Sequence, residues 1–125
     1  MKHGDNWATP KWLYDKLNAE FQFNDDPCPM GGENGLDREW GSRVFINPPY
    51  SRPTQWIKRA YEESRKGKLV VALLRSDTST AWFHDWIYGK AEIRFLRGRL
   101  EYSDEGMPAP FASFIAIWKL GESHA

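Results

Sequence analysis

The chain predicts an α/β layered domain, compact, with a mainly parallel sheet and an antiparallel C-terminal hairpin at one edge. Three observations lead there. Strand-like apolar runs alternate with helix-period segments through the first three quarters of the 125 residues, the pattern of a layered sheet with crossover helices. KLVVALL (68–74) is a continuous apolar run, as expected of a strand buried on both faces. RGRLEY (97–102) and ASFIAIWKL (112–120) enclose the turn-rich DEGMPAP segment (104–110) as a closing pair. At this length one domain spanning 1–125 is expected.

Taken in order, Thr9 before Pro10 reads as a helix cap with proline at the first helical position, and Trp12, Leu13, Leu17 and Phe21 follow near helical spacing. That helix is expected to run to about residue 20. Residues 21–24 then form a short strand, and DDPCPMGGENG (25–35), with three glycines and two prolines, is a long polar loop of the functional kind. Residues 43–47 make the next strand, and 54–66 an amphipathic helix with Trp56, Ala60 and Tyr61 on its apolar side and Gly67 as its stop. After KLVVALL come a short helix over 78–88 carrying Trp82, Phe83 and Trp86, and the strand AEIRFL (91–96).

Composition narrows the function. Formal net charge is zero, which argues against a protein that holds nucleic acid by charge alone. Residues 51–100 nonetheless carry eleven Lys and Arg against five acids; much of such a run is usually a solvated face. Arg52, Arg75, Arg97 and Arg99 instead sit beside turns or strand ends, where phosphate contacts fit better. On a strand, Arg97 and Arg99 would project to one face. Seven Trp, seven Phe and five Tyr supply rings for packing, with some left for stacking on bases. Cys28 is alone and the three His are dispersed, so neither an internal disulfide nor a metal site is expected. No apolar run is long enough to span a membrane, and a soluble intracellular protein is expected.

The most informative stretch is VFINPPYSRP (44–53). Val44, Phe45 and Ile46 read as a buried strand that Pro48 ends by lacking a ladder donor. Two prolines fix successive φ angles and push Asn47 from the helical region, leaving a stiff loop. Its polar groups are an amide and carbonyl oxygens, followed by the Tyr50 ring: it can accept hydrogen bonds beneath a stacked planar group. An ordinary strand-ending turn, with Tyr50 at the core edge, is the plainer alternative. Ligands of such sheets bind beyond the carboxyl ends of strands, so the 24–29 and 47–50 loops are expected to share a crevice.

Asn-Pro-Pro-Tyr after an apolar strand resembles motif IV of the S-adenosylmethionine-dependent amino-methyltransferases. DNWATP (5–10), FNDDPCP (23–29), NGLDREW (34–40), INPPYS (46–51), Trp82-Phe83-His84, FLRGRLEY (95–102) and APFASF (109–114), in that order, are together similar to the phage and prophage DNA N-6-adenine-methyltransferase family, a Dam-like group. The resemblance implies a Rossmann-like methyltransferase fold acting on DNA in the cytoplasm of a bacterial host, and at this length no separate target-recognition domain is expected. It implies methyl transfer from S-adenosylmethionine to the exocyclic amino group of adenine. It also implies cofactor contacts at Thr9, Pro10, Asp26, Pro27 and Cys28, and a catalytic loop of Asn47, Pro48, Pro49 and Tyr50. A positive sulfonium would favour the carboxylate of Asp26 and the rings of Trp7 or Tyr50, and a paired adenine would have to be flipped out and stacked on Tyr50. The chain departs from common methyltransferases in lacking a Gly-x-Gly turn after its first strand, offering Pro27, Pro29 and the Gly31-Gly32 pair instead. An RNA base or a protein glutamine amide presents a similar planar amine and stays open as substrate. So does a catalytically degenerate nucleic-acid-binding phage protein.

Overall fold

The computed structural model describes residues 7–29, 35–101 and 108–120. Asp5, Asn6, the Gly31-Gly32 pair, Tyr102 and most of the 104–110 loop lie outside them. The first helix, α1 (Lys11–Phe21), turns Leu13, Leu17 and Phe21 inward. A short 3₁₀ turn at Gly35–Asp37 precedes strand β1 (Arg43–Ile46), helix α2 (Thr54–Ser64), strand β2 (Leu69–Arg75), helix α3 (Ala81–Trp86), edge strand β3 (Glu92–Phe95) and strand β4 (Ser113–Trp118).

The sheet has four strands in the order β1-β2-β4-β3. Only β1 and β2 pair in parallel, while β4 runs antiparallel to both β2 and β3. The expectation of a mainly parallel sheet is corrected to a mixed one. Its side chains alternate between two cores. Val44, Ile46, Val70, Ala72, Phe114, Ala116 and Trp118 pack with Trp56, Ile57 and Ala60 of α2 and with Trp82 and Phe83 of α3. Phe45, Val71, Leu73, Ile115 and Ile117 pack with Leu13, Leu17 and Phe21 of α1 on the other face. A three-layer α/β/α arrangement results, with each fully buried aliphatic or aromatic side chain contributing about 1.5–3 kcal/mol.

Three local readings change. The closing hairpin is not formed by RGRLEY: among its described residues, Gly98 turns at φ +72°, and the last strand lies between β2 and β3. A strand buried at all six positions belongs in the sheet interior, with a neighbour on each side. Residues 21–24 form no strand because the helix continues through Phe21 and Gln22 closes it at φ 54°. Its amide, and that of Phe23, return to the carbonyl and side chain of Asn18. Strand pairing is left to a single parallel bridge between Asp25 and Val44. Thr9 is not the cap of α1; Pro10 holds that position with no side-chain bond, because the Thr9 hydroxyl has a different partner, described below. Thr80 does cap α3, accepting from the Phe83 amide at 3.3 Å. Part of the basic run is spent inside, where Arg59, Lys66 and Lys68 converge on the buried carboxylate of Glu63.

Because β3 runs with β2, the carboxyl ends of β1, β2 and β3 and the amino end of β4 meet at one edge of the sheet. Asn47, Arg75, the Arg97–Arg99 bend and Phe111 follow or precede those strand ends. No described helix is long and apolar enough to cross a membrane.

Candidate active site

Asn47 follows β1, an outermost strand of the four, at that edge. Its side-chain nitrogen donates to the backbone carbonyl of Trp7 and to the Thr9 hydroxyl, the latter at 3.0 Å. A backbone carbonyl can only accept, so this contact fixes which end of the amide is nitrogen. Both N–H bonds are thereby used, and Oδ1 is the acceptor left to present. The segment expected to contact a cofactor, Trp7 to Pro10, here orients the Asn47 amide.

On one side of Asn47 opens a cavity of about 370 Å³ lined by Trp7, Thr9, Tyr14, Asp26, Cys28 and Phe45, among others. The 24–29 and 47–50 loops do share a crevice. Pro27 is buried behind it, where Gly35 lies so close that an added Cβ would stand 2.0 Å from the Pro27 carbonyl oxygen. The adjacent acids diverge. Hydrogen bonds from Arg38, joined by the Gly41 amide, hold the Asp25 carboxyl below its ordinary range despite burial. Arg38 grips it with two bonds of 2.8 Å. Burial pushes Asp26 up, and Asp25 adds to this against the Cys28 amide and Arg38. The Cys28 thiol is pushed up to about 12 by burial and by Asp26, so it stays protonated at neutral pH and is no nucleophile. Asp25 is the brace and Asp26 the group that faces the cavity.

The other side of Asn47 is tightly packed. Pro48, Pro49, Tyr50, Leu73, Arg75 and Trp82 surround a space of about 10 Å³, enough for about one water molecule. Tyr50 stacks on Phe111 at 4.4 Å between ring centroids and 25° between planes. The Arg75 guanidinium carbon lies 4.6 Å from the Tyr50 centroid. Trp7 meets Phe111 edge-on at 5.2 Å. The ring nominated for base stacking is thus covered by the protein's own groups.

Of the four arginines nominated for DNA, Arg52, Arg97 and Arg99 are exposed. Arg97 and Arg99 sit on the Gly98 bend, not on a strand, so the one-face argument for them does not hold. Arg75 is turned inward, donating to the Tyr50 carbonyl at 2.5 Å. Sequence reading missed Tyr14 and Phe45 as cavity walls and the Asp25–Arg38 brace. Strict alternation along β1 would have found Phe45, since Val44 and Ile46 claim the other face; nothing local announces the brace. Among the described residues no group of three or more His, Cys, Asp or Glu is placed to hold a metal.

No solved structure gave a significant match. The chain is 31% identical over 116 residues to the DNA N-6-adenine-methyltransferase of Escherichia phage T1, covering 82% of this chain and 49% of that protein. To the protein of the same name from Haemophilus phage HP1 (strain HP1c1) it is 34% identical over 107 residues, 74% of this chain and 62% of the relative. The chain therefore spans about half to three-fifths of the length of these curated relatives. The family model described as DNA N-6-adenine-methyltransferase (Dam) matches residues 1–113, from the Trp7–Pro10 segment through Asn47 to Phe111, and the chain belongs to that family.

Proposed function

We propose that the protein is an S-adenosylmethionine-dependent methyltransferase, phage-encoded and acting in the host cytoplasm, that modifies the exocyclic amino group of adenine in DNA on a Rossmann-like methyltransferase fold. The observation that carries this reading is the pinned amide of Asn47, which leaves Oδ1 as an acceptor between a preformed cavity and a closed aromatic cluster. Helices on both sheet faces and ligand loops beyond the strand ends support the fold assignment.

The cavity fits the cofactor. Its volume falls in the range of small-molecule sites, about 300–1,000 Å³. It combines ring faces with the half-buried carboxylate of Asp26, whose charge burial disfavours and a cationic ligand would favour. S-adenosylmethionine, when bound, supplies an electrophilic methyl group on a sulfonium. Asp26 would face positive charge there, with Trp7, Tyr14 and Phe45 as walls.

An aromatic amine is a poor nucleophile because its lone pair is delocalised into the ring. Asn47 Oδ1 and the Pro48 carbonyl each accept a hydrogen bond from one amino N–H, which drives the nitrogen toward tetrahedral geometry with its lone pair facing the cavity. As the new N–C bond would form and the C–S bond break, the surplus proton on nitrogen would pass to solvent. No strong base is involved. The gain is electrostatic and orientational, on the order of 3 kcal/mol per well-placed bond. Prolines at 48 and 49 keep the acceptors from rearranging as the charge develops. Arg52, Arg97 and Arg99 hold the phosphates. Each one lost lowers the salt slope of DNA binding by about one unit.

The test offers labelled S-adenosylmethionine with DNA, RNA and protein side by side. Label on DNA alone, recovered as N6-methyladenine, is expected. Asn47→Ala should cut transfer by at least about a hundredfold with little change in cofactor affinity. Transfer to RNA or protein alone, or none by the unaltered protein, would overturn the proposal.

A further inference from the structure

We propose that Arg75 is a positioning residue that locks the end of the catalytic loop, not a DNA-phosphate contact. The reason lies in the ladder that the prolines interrupt. β1 and β2 pair in register to Ile46 opposite Ala72, and continuing that register would set Pro49 opposite Arg75. Pro48 and Pro49 have no backbone N–H to extend the pairing, so at the two positions that would face the end of β2 the loop offers no backbone donor. The Arg75 side chain supplies the missing donor. Its Nη1 bonds the Tyr50 carbonyl at 2.5 Å. Its guanidinium lies against the Tyr50 ring at 4.6 Å and the Trp82 ring at 5.6 Å, with Nε 3.6 Å from Asp77 Oδ2. A guanidinium can make all these contacts at once because it is planar and forked; an ammonium cannot. Since α3 carries Trp82, Arg75 joins β2, α3 and the catalytic loop into one unit.

The activity readout rests on the function proposed above, so the experiment has an arm that does not. Arg75→Lys and Arg75→Ala are compared with the unaltered protein in steady-state methyl transfer, in cofactor calorimetry and in DNA affinity against salt. Both variants should lose about tenfold or more in kcat and keep cofactor affinity within about twofold, because the cofactor cavity lies across Asn47 from Arg75. Their DNA salt slope should not move. A phosphate contact would behave in the opposite way: the alanine slope would fall by about one unit and lysine would restore most of the activity. That outcome overturns the proposal. Independently of any activity, the side-chain Nε–H resonance of Arg75 in the unaltered protein should be displaced by the neighbouring rings and should move on Tyr50→Leu. An undisplaced resonance, insensitive to that change, also overturns it, even if Arg75→Ala fails to fold or the protein methylates nothing. Failure of methyl transfer with a displaced resonance sinks the proposed function and leaves the lock standing.

Discussion

The two sides of Asn47 differ in kind. Toward Asp26 there is an open cavity with polar and aromatic walls; toward Tyr50 there is a packed stack of rings with almost no free space. On the function proposed above, the first would take the cofactor as it stands and the second would have to open for a base. A small ligand meets a site already built, so little of its binding energy goes into ordering the protein. A flipped base would have to displace Phe111 or Arg75 from the Tyr50 ring. Of these, Arg75 is tied to the loop backbone, whereas Phe111 is flanked by exposed Pro110 and Ala112 and is the group expected to yield.

The sharpest way to break this comparison is to spoil the partition itself. Asn47→Asp keeps an oxygen for the target amine but sets a carboxylate oxygen against the Trp7 carbonyl. Losing a half-buried donor bond of this kind costs about 1–3 kcal/mol, so transfer should fall about tenfold to a hundredfold. Near-normal activity would show that the amide is not held by its nitrogen.

Asp26→Asn tests the open side. Cofactor affinity should fall about tenfold in calorimetry, as expected for losing one charge-assisted contact. Stability should move the other way. Burial raises the folded-state pKa of Asp26, so between the unfolded and folded values the native state binds more protons and stability falls as pH rises. Once pH exceeds the raised folded-state pKa the charged form carries the burial penalty, and the neutral amide should melt higher than the unaltered protein. That advantage should shrink as pH drops toward the ordinary Asp pKa of about 4. A variant that is less stable at pH 7 would mean that the Cys28 amide and Arg38 outweigh the cost of burying the Asp26 charge.

Phe111→Ala probes the closed side. Removing a ring that competes for Tyr50, at about 0.5–1.5 kcal/mol for such a pair, should tighten binding of DNA with an unpaired adenine by about fivefold, measured by fluorescence of an adenine analogue at that position. Weaker binding would make Phe111 a wall of the base site and not its occupant.

How much of this was legible in the sequence differs between the same two sides. The apolar runs located β1, β2 and β3, and the stop at Pro48 located the candidate site, because both signals are local. What the chain places beside those segments is not local. β4 was expected in a hairpin, yet SFIAIW is apolar at nearly every position, the mark of a central strand; the signal was present and the turn-rich segment before it outweighed it. Arg75 looked like a phosphate contact because it ends a strand. Only the fold reveals two rings and a carbonyl waiting for it. Gly98 between Arg97 and Arg99 was a visible warning against a strand there.

Thr9 is the most instructive of these, and its effect is expected to be the smallest. Thr-Pro before a helix is a strong cap signal, but the hydroxyl serves an amide 38 positions away, a pairing that no local rule contains. Thr9→Val keeps the shape and removes one of the two acceptors of the Asn47 nitrogen, while the Trp7 carbonyl keeps its bond. A single net hydrogen bond is worth about 0.5–1.5 kcal/mol, so kcat should fall about threefold, with cofactor affinity nearly unchanged and Thr9→Ser close to the unaltered protein. If Thr9 were instead a direct cofactor ligand, the same substitution would raise the cofactor Kd and spare kcat at saturation. A Kd change without a kcat change would move Thr9 from orienting Asn47 to lining the open side, and would leave the Trp7 carbonyl as the principal anchor of the amide.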